Sequence, residues 1–211
     1  MKERLGLWAA FAAGVHFFVV LSFTVMQPHV ARAEYAEKGV VLARRYEERG
    51  RISEAAKILD TLNEPSYRSS PTAPEAMMEM ARFDLRHRND IGKALAGLDE
   101  LMTVFPGHPE SLTAKTYADL IRAEGGPGSP AISLYFTAVG LSRRGEHSKA
   151  IAKIDQLLWQ HASDTIIPFA LYQGYTISAS RLHEPQLANK YLSRLQSAYP
   201  GANWRALSSL Q

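Results

Sequence analysis

Cysteine is absent from this 211-residue chain. That removes disulfides, thiolate nucleophiles, cysteine-held zinc, covalently attached haem and a lipidated N-terminal cysteine, so a folded domain must hold by packing alone. A basic excess is missing too. Of the formal charge of +3, Lys2, Arg4 and Arg32 against Glu3 supply two units, which leaves residues 34–211 near neutral and without a surface for nucleic acid. Sustained period-2 alternation is lacking, which excludes half-buried strands. Catalytic spacing is lacking as well. No His-x3-His or His-Glu-x2-His pair sets metal ligands on one helix face, and no serine sits in a Gly-x-Ser-x-Gly elbow. The run Gly125-Gly126-Pro127-Gly128 has no Gly-Lys-Ser/Thr ending for a phosphate and reads as a linker. The adjacent carboxylates Glu47-Glu48 and Asp99-Glu100 diverge around a helix and read as solvated faces. We therefore expect no catalytic residue, cofactor, metal or small-molecule substrate. An enzyme would need a site assembled from distant residues.

What the chain does have begins with one long apolar run. Leu5 to Met26 carries no Lys, Arg, Asp or Glu over 22 residues, enough for a helix to cross a hydrocarbon core of about 30 Å. Pro28 follows, and Ala31-Arg32-Ala33 forms an A-x-A cleavage pattern. Residues 1–33 therefore read as a signal peptide cleaved after Ala33, or as an anchor retained through residues 5–27. Lys2 and Arg4 favour a cytoplasmic N-terminus, so either outcome sends residues 34–211 across the membrane, to a periplasm-like space if cleaved or outside as a single-pass protein if kept. His16, alone in the apolar run, reads as a tolerated neutral imidazole.

From Glu34 onward apolar residues recur at helical spacing between Pro, Gly and Asn clusters. The spacing predicts helices over 34–49, 52–63, 73–88, 90–105, 109–123, 130–144, 147–161, 165–182 and 185–198, with a tail helix from 202. Thr72 with Glu75 suggests a capping box, and Ser129-Pro130 an N-cap with proline at the first helical position. Internal repetition then appears. Ala94 is followed at 4, 7 and 12 residues by Leu98, Leu101 and Pro106, and Ala188 by Leu192, Leu195 and Pro200. Ala150 precedes Ile154 and Leu157, and Ala55 precedes Leu59 and Leu62, at the same offsets. Offsets 0, 4 and 7 share one helix face, where a small alanine lets another helix approach closely. The origins lie 39, 56 and 38 residues apart, and the long interval holds the additional helix 109–123. That helix is expected to be a degenerate unit or a break in the array, with 124–130 as hinge.

Leu42-Ala43, Tyr46, Gly50 and Ala55, and again Leu134, Ala138, Leu141, Gly145 and Ala150, fall at the intervals of a small residue, an aromatic or apolar residue, a turn glycine and an alanine. On these residues the chain resembles the tetratricopeptide repeat family, over most of residues 34–201. Ala81 and Gly174 sit one and two residues from the family position. The unit length and the endings Phe105-Pro106-Gly107 and Tyr199-Pro200-Gly201 are similar to those of bacterial envelope repeat proteins of outer-membrane assembly and the Tol-Pal system.

The resemblance implies an all-α, antiparallel helix-pair solenoid of about four units plus an extra helix, whose first helices line a concave surface that binds protein or peptide partners in the cell envelope. Arg44, Tyr135, Val139, Arg143, Arg144, Gln173 and Ile177 are the residues expected there. For the paired arginines Arg44-Arg45 and Arg143-Arg144 a second reading stays open, since cations near a helix end also complement its dipole. Tyr172 and Tyr175 read as core, and Trp204 and Leu207 as a cap on the open end. The expected function is a non-catalytic scaffold or assembly factor. The alternative is a permanent subunit of a membrane complex anchored by residues 5–27.

Overall fold

The computed structural model describes residues 35–36, 38–203 and 207–208. The leader, Trp204 and most of the tail helix lie outside them. The described residues form no strand, and none of their helices is long and apolar enough to cross a membrane. Nine α-helices follow one another among them: α1 over 38–48, α2 Ile52–Leu62, α3 Ala73–Phe83, α4 Ile91–Val104, α5 Pro109–Ala123, α6 Pro130–Arg143, α7 His147–Gln160, α8 Ile167–Ser180 and α9 Pro185–Ala198. Each span agrees with the 3.6-residue apolar period to within a few residues, except that α3 gives way to a π-helical turn, Asp84–Arg88, ended by left-handed Asn89.

The helix ends follow from local chemistry. Asp90 Oδ1 accepts from the Lys93 N–H at 2.9 Å and Ser129 Oγ from the Ile132 N–H at 3.2 Å, each satisfying a donor that the first turn leaves free. Pro109, Pro130 and Pro185 occupy first helical positions, where a missing N–H costs nothing. The capping box expected at Thr72 does not form. The Thr72 backbone sits at φ −93°, ψ 4°, and its hydroxyl pairs with Ser70 Oγ at 3.0 Å instead of the helix. Gly50 and Gly145 close α1 and α6 identically. Each adopts φ near +70 to +80°, and the next N–H reaches back five residues, Arg51 to Tyr46 at 2.8 Å and Glu146 to Leu141 at 2.9 Å. Only glycine enters that region without a Cβ penalty.

Packing is between chain neighbours: α2 on α3, α3 on α4, α4 on α5, then α6 on α7, α7 on α8 and α8 on α9. Ala55, Ala94 and Ala150 are fully buried and Ala188 nearly so, together with Leu59, Leu62, Leu98, Leu101, Ile154, Leu157 and Leu195. Leu192 alone of the set is only partly covered, and Pro106 and Pro200 lie exposed in the turns after α4 and α9. Leu207 is buried as part of the main core and shares a pocket wall with Pro168, Phe169 and Tyr199. The additional helix α5 is not without a partner, because Ala114, Tyr117, Ala118 and Ile121 bury against α4 and the core. The Gly-Pro segment is a 3-10 turn, Gly126–Gly128, packed on α4 and α5, which is a seated turn rather than an open linker.

Helix α5 lies beside α4 and meets α6 through the stacked rings of Tyr117 and Phe136, 5.7 Å between centroids, while α6 packs more extensively on the π-helical end of α3. Gly140 permits that approach: a Cβ there would stand 2.6 Å from the Arg86 carbonyl oxygen, a backbone atom that cannot turn aside. Gly140→Ala is expected to cost about 2–3 kcal/mol by forcing α6 away from α3. Gly97→Ala, in open space inside α4, should instead add about 0.5–1 kcal/mol through helix propensity. Urea melts of both variants check the contrast, and equal effects would show that the α3–α6 approach is not under steric constraint.

Candidate functional site

Three helices meet at a buried set of charges. Along α1 the apolar stripe Ala36, Val40 and Ala43 continues one turn further onto Glu47, and on α3 the stripe Ala76 and Phe83 includes Glu79 and leads to Arg86. Both glutamates are at most 2% exposed, and Arg86 lies between them. Arg86 Nη2 donates to Glu79 Oε1 at 2.6 Å and to Glu47 Oε2 at 3.0 Å. Its Nε stands 2.8 Å from Glu47 Oε1, an ion contact too oblique for a hydrogen bond. The expected solvated pair Glu47-Glu48 is therefore corrected at Glu47, since only Glu48 reaches water. Asp99 and Glu100 do stay at the surface, paired with Arg122 and Arg68.

Further groups complete the network. Arg44 Nε donates to Glu79 Oε2 at 2.9 Å, Arg82 stands 3.7 Å from the same oxygen, and Arg82 Nε donates to Tyr117 Oη at 3.3 Å. Arg144 donates to His87 Nδ1 at 3.1 Å, so that nitrogen is the acceptor and Nε2–H donates to Glu47 Oε1 at 2.8 Å. Arg144 also holds Glu146 at 2.9 Å. Burial by itself would raise the Glu79 carboxyl, but Arg86, Arg44 and Arg82 outweigh it and hold its pKa down at about 2. Glu47 is treated alike: burial pushes upward, while His87, Arg86 and Arg143 bring it below the ordinary value.

Beside this network a cavity of about 580 Å³ opens between α6 and α8, walled by Val139, Ser142, Arg143, Gln173, Ile177 and Arg181, with Glu48, Gly145, His147 and Thr176 completing the lining. Four of the seven residues expected on the binding face thus line one cavity: Val139, Arg143, Gln173 and Ile177. The other three do not. Tyr135 is 0% exposed, packed edge-on to Phe136 at 5.1 Å inside the core, so it is not presented to a partner. Arg44 and Arg144 are committed to Glu79 and to His87 and Glu146. Tyr172 and Tyr175 are partly buried against the core.

Sequence reasoning passed over Glu47, Glu79, Arg86 and His87. Their signal lies in the stripes: Glu47 and Glu79 each continue an apolar helix face, and Glu79 stands seven residues before Arg86 on the same face. No group of three or more His, Cys, Asp or Glu residues able to hold a metal occurs among the described residues.

A carboxylate held low stabilises the fold fully above its unfolded pKa, near 4.5, and that contribution is lost as pH falls toward about 2. Denaturation of the wild type followed from pH 6 to pH 2.5 should show stability dropping across that window. Glu79→Gln, which leaves three guanidinium groups around a neutral amide, should cost about 3–5 kcal/mol at pH 7 and flatten the drop. An unchanged acid slope in the variant would remove Glu79 from this role. No family model matches the chain, and no curated protein or solved structure matches it.

Proposed function

We propose that this chain is a non-catalytic, tetratricopeptide-like helical scaffold that binds a protein or peptide partner on the outer side of a bacterial-type cytoplasmic membrane, with residues 1–33 directing or tethering it there. The observation that carries the reading is the convergence of Val139 and Arg143 on α6 with Gln173 and Ile177 on α8 in one cavity. Apolar and cationic side chains side by side, on rigid helices, are what a groove needs to hold an extended or helical segment. Successive helices packed in neighbouring pairs, with Ala55, Ala94, Ala150 and Ala188 buried at equivalent positions, support the repeat architecture. A permanent subunit of a membrane complex is the second reading. It is favoured by Trp159, 82% exposed on α7, a large indole that a neighbouring subunit would cover.

A photo-crosslinking residue at Thr176, on the cavity wall, should trap one discrete protein adduct in the native envelope, whereas the same residue at Lys57, exposed on α2, should not. Equal adducts at both positions, or none at either, would sink the groove. Intact mass of the chain from the same sample separates the two readings. A chain beginning at Glu34 is an exported adaptor, and one retaining residues 5–27 in a stoichiometric complex is an anchored subunit.

A further inference from the structure

Charge in and around the cavity does not balance. The network joins five guanidinium groups, on Arg44, Arg82, Arg86, Arg143 and Arg144, to three carboxylates, on Glu47, Glu79 and Glu146; Lys149 draws on Glu146 as well, and the cavity lining itself adds Arg181 and one carboxylate, Glu48. Arg143 is the group left short. Its side chain is 27% exposed, and its one ion pair among the described residues is with Glu47 at 3.8 Å, beyond hydrogen-bonding distance. Burial and nearby Arg86 together pull its pKa below the ordinary arginine value, so the fold makes this charge less comfortable than water would. Across the cavity Arg181 has no ion pair among the described residues, and with burial it lowers the pKa of His147 in the same wall.

Val139 and Ile177 give the same cavity an apolar wall. Gln173 is 6% exposed there and its buried Oε1 has no hydrogen-bond partner, but that oxygen is an acceptor and calls for a donor, so the arginines alone are suited to an anion.

From these placements we infer that the cavity between α6 and α8 is an oxyanion site, in which Arg143 and Arg181 take a carboxylate or phosphate and Val139 and Ile177 contact the ligand's carbon body. Arginine suits the task, because its fork of donors matches the oxygens of such anions. The oxyanion can be carried by a free small molecule or by an acidic side chain of a partner. The site deepens the proposed groove, and rests on that reading only for the second source.

The test uses the full-length chain in detergent micelles at low salt, titrated calorimetrically with succinate, with inorganic phosphate, and with an acetylated, amidated hexapeptide alternating Glu and Leu. Saturable binding of at least one probe is expected, weakened about tenfold or more by Arg143→Gln and by Arg181→Gln and unchanged by Lys57→Gln. Saturation by succinate or phosphate identifies a free anion as sufficient, and saturation by the peptide alone identifies a protein source. Because Arg181 makes no ion pair among the described residues, its variant keeps the test valid if Arg143→Gln fails to fold. Absence of saturation with every probe, or equal loss in Lys57→Gln, overturns the site. Crosslinking from Thr176 can persist in that case, which would leave the groove standing without its anion.

Discussion

Arg86 is the point on which the arrangement of helices turns. Its guanidinium joins Glu79 on its own helix to Glu47 on α1, and its backbone carbonyl is the surface on which Gly140 seats α6. A buried ion pair adds little net stability over an apolar core of equal volume, because desolvating the charges costs about what their attraction returns. The asymmetry lies in the alternatives. Any register of α1 or α3 that parts Arg86 from its carboxylates leaves a bare charge in the interior, at about 3–5 kcal/mol. The network therefore acts chiefly by making wrong packings expensive. The π-helical turn belongs to the same constraint, for Asp84–Arg88 supplies Arg86, His87 and Arg88 in succession: Arg86 holds Glu79 and Glu47, His87 shares Glu47, and Arg88 pairs with Asp84 and Asp60.

Much of this was legible in the amino-acid order and some was not, for physical reasons. Helix existence and extent follow from local rules, so Pro109, Pro130 and Pro185 as first residues and Gly50 and Gly145 as last-turn glycines marked ends correctly. Alanine followed by apolar residues at 4 and 7 marked buried faces, because neighbouring helices need small residues to approach. Glu47 failed the same logic in reverse: its charge argued for solvent, while its place on the stripe of Ala36, Val40 and Ala43 put it inside. Periodicity was the stronger signal there. Tyr135 was assigned to a surface by unit register, but register fixes a face only to within a residue, and one helical position is a rotation of about 100°.

The placement of α5 decides which helix α6 meets. Helix α5 lies against α4, and the turn Gly126–Gly128 packs back on both, so the chain returns to start α6 beside α3. Helix α6 then packs on the π-helical end of α3 and touches α8. Had α5 been inserted between α3 and α6, Arg86 could not face Gly140, and Arg143 would not stand near Glu47.

That geometry also explains why charge accumulates where it does. Every other guanidinium of the network has a hydrogen-bond partner within 3.3 Å, so its position is accounted for by the fold. Arg143 does not, although it occupies the last turn of α6, where a cation complements the helix dipole. The dipole explains a cation at that end of the helix, but solvent would hold it as well and without burial. What distinguishes Arg143 is that it lines a cavity already bordered by a second arginine, Arg181. A side chain set against the electrostatics of its own surroundings persists when something outside the chain completes them, and here an anion would do so.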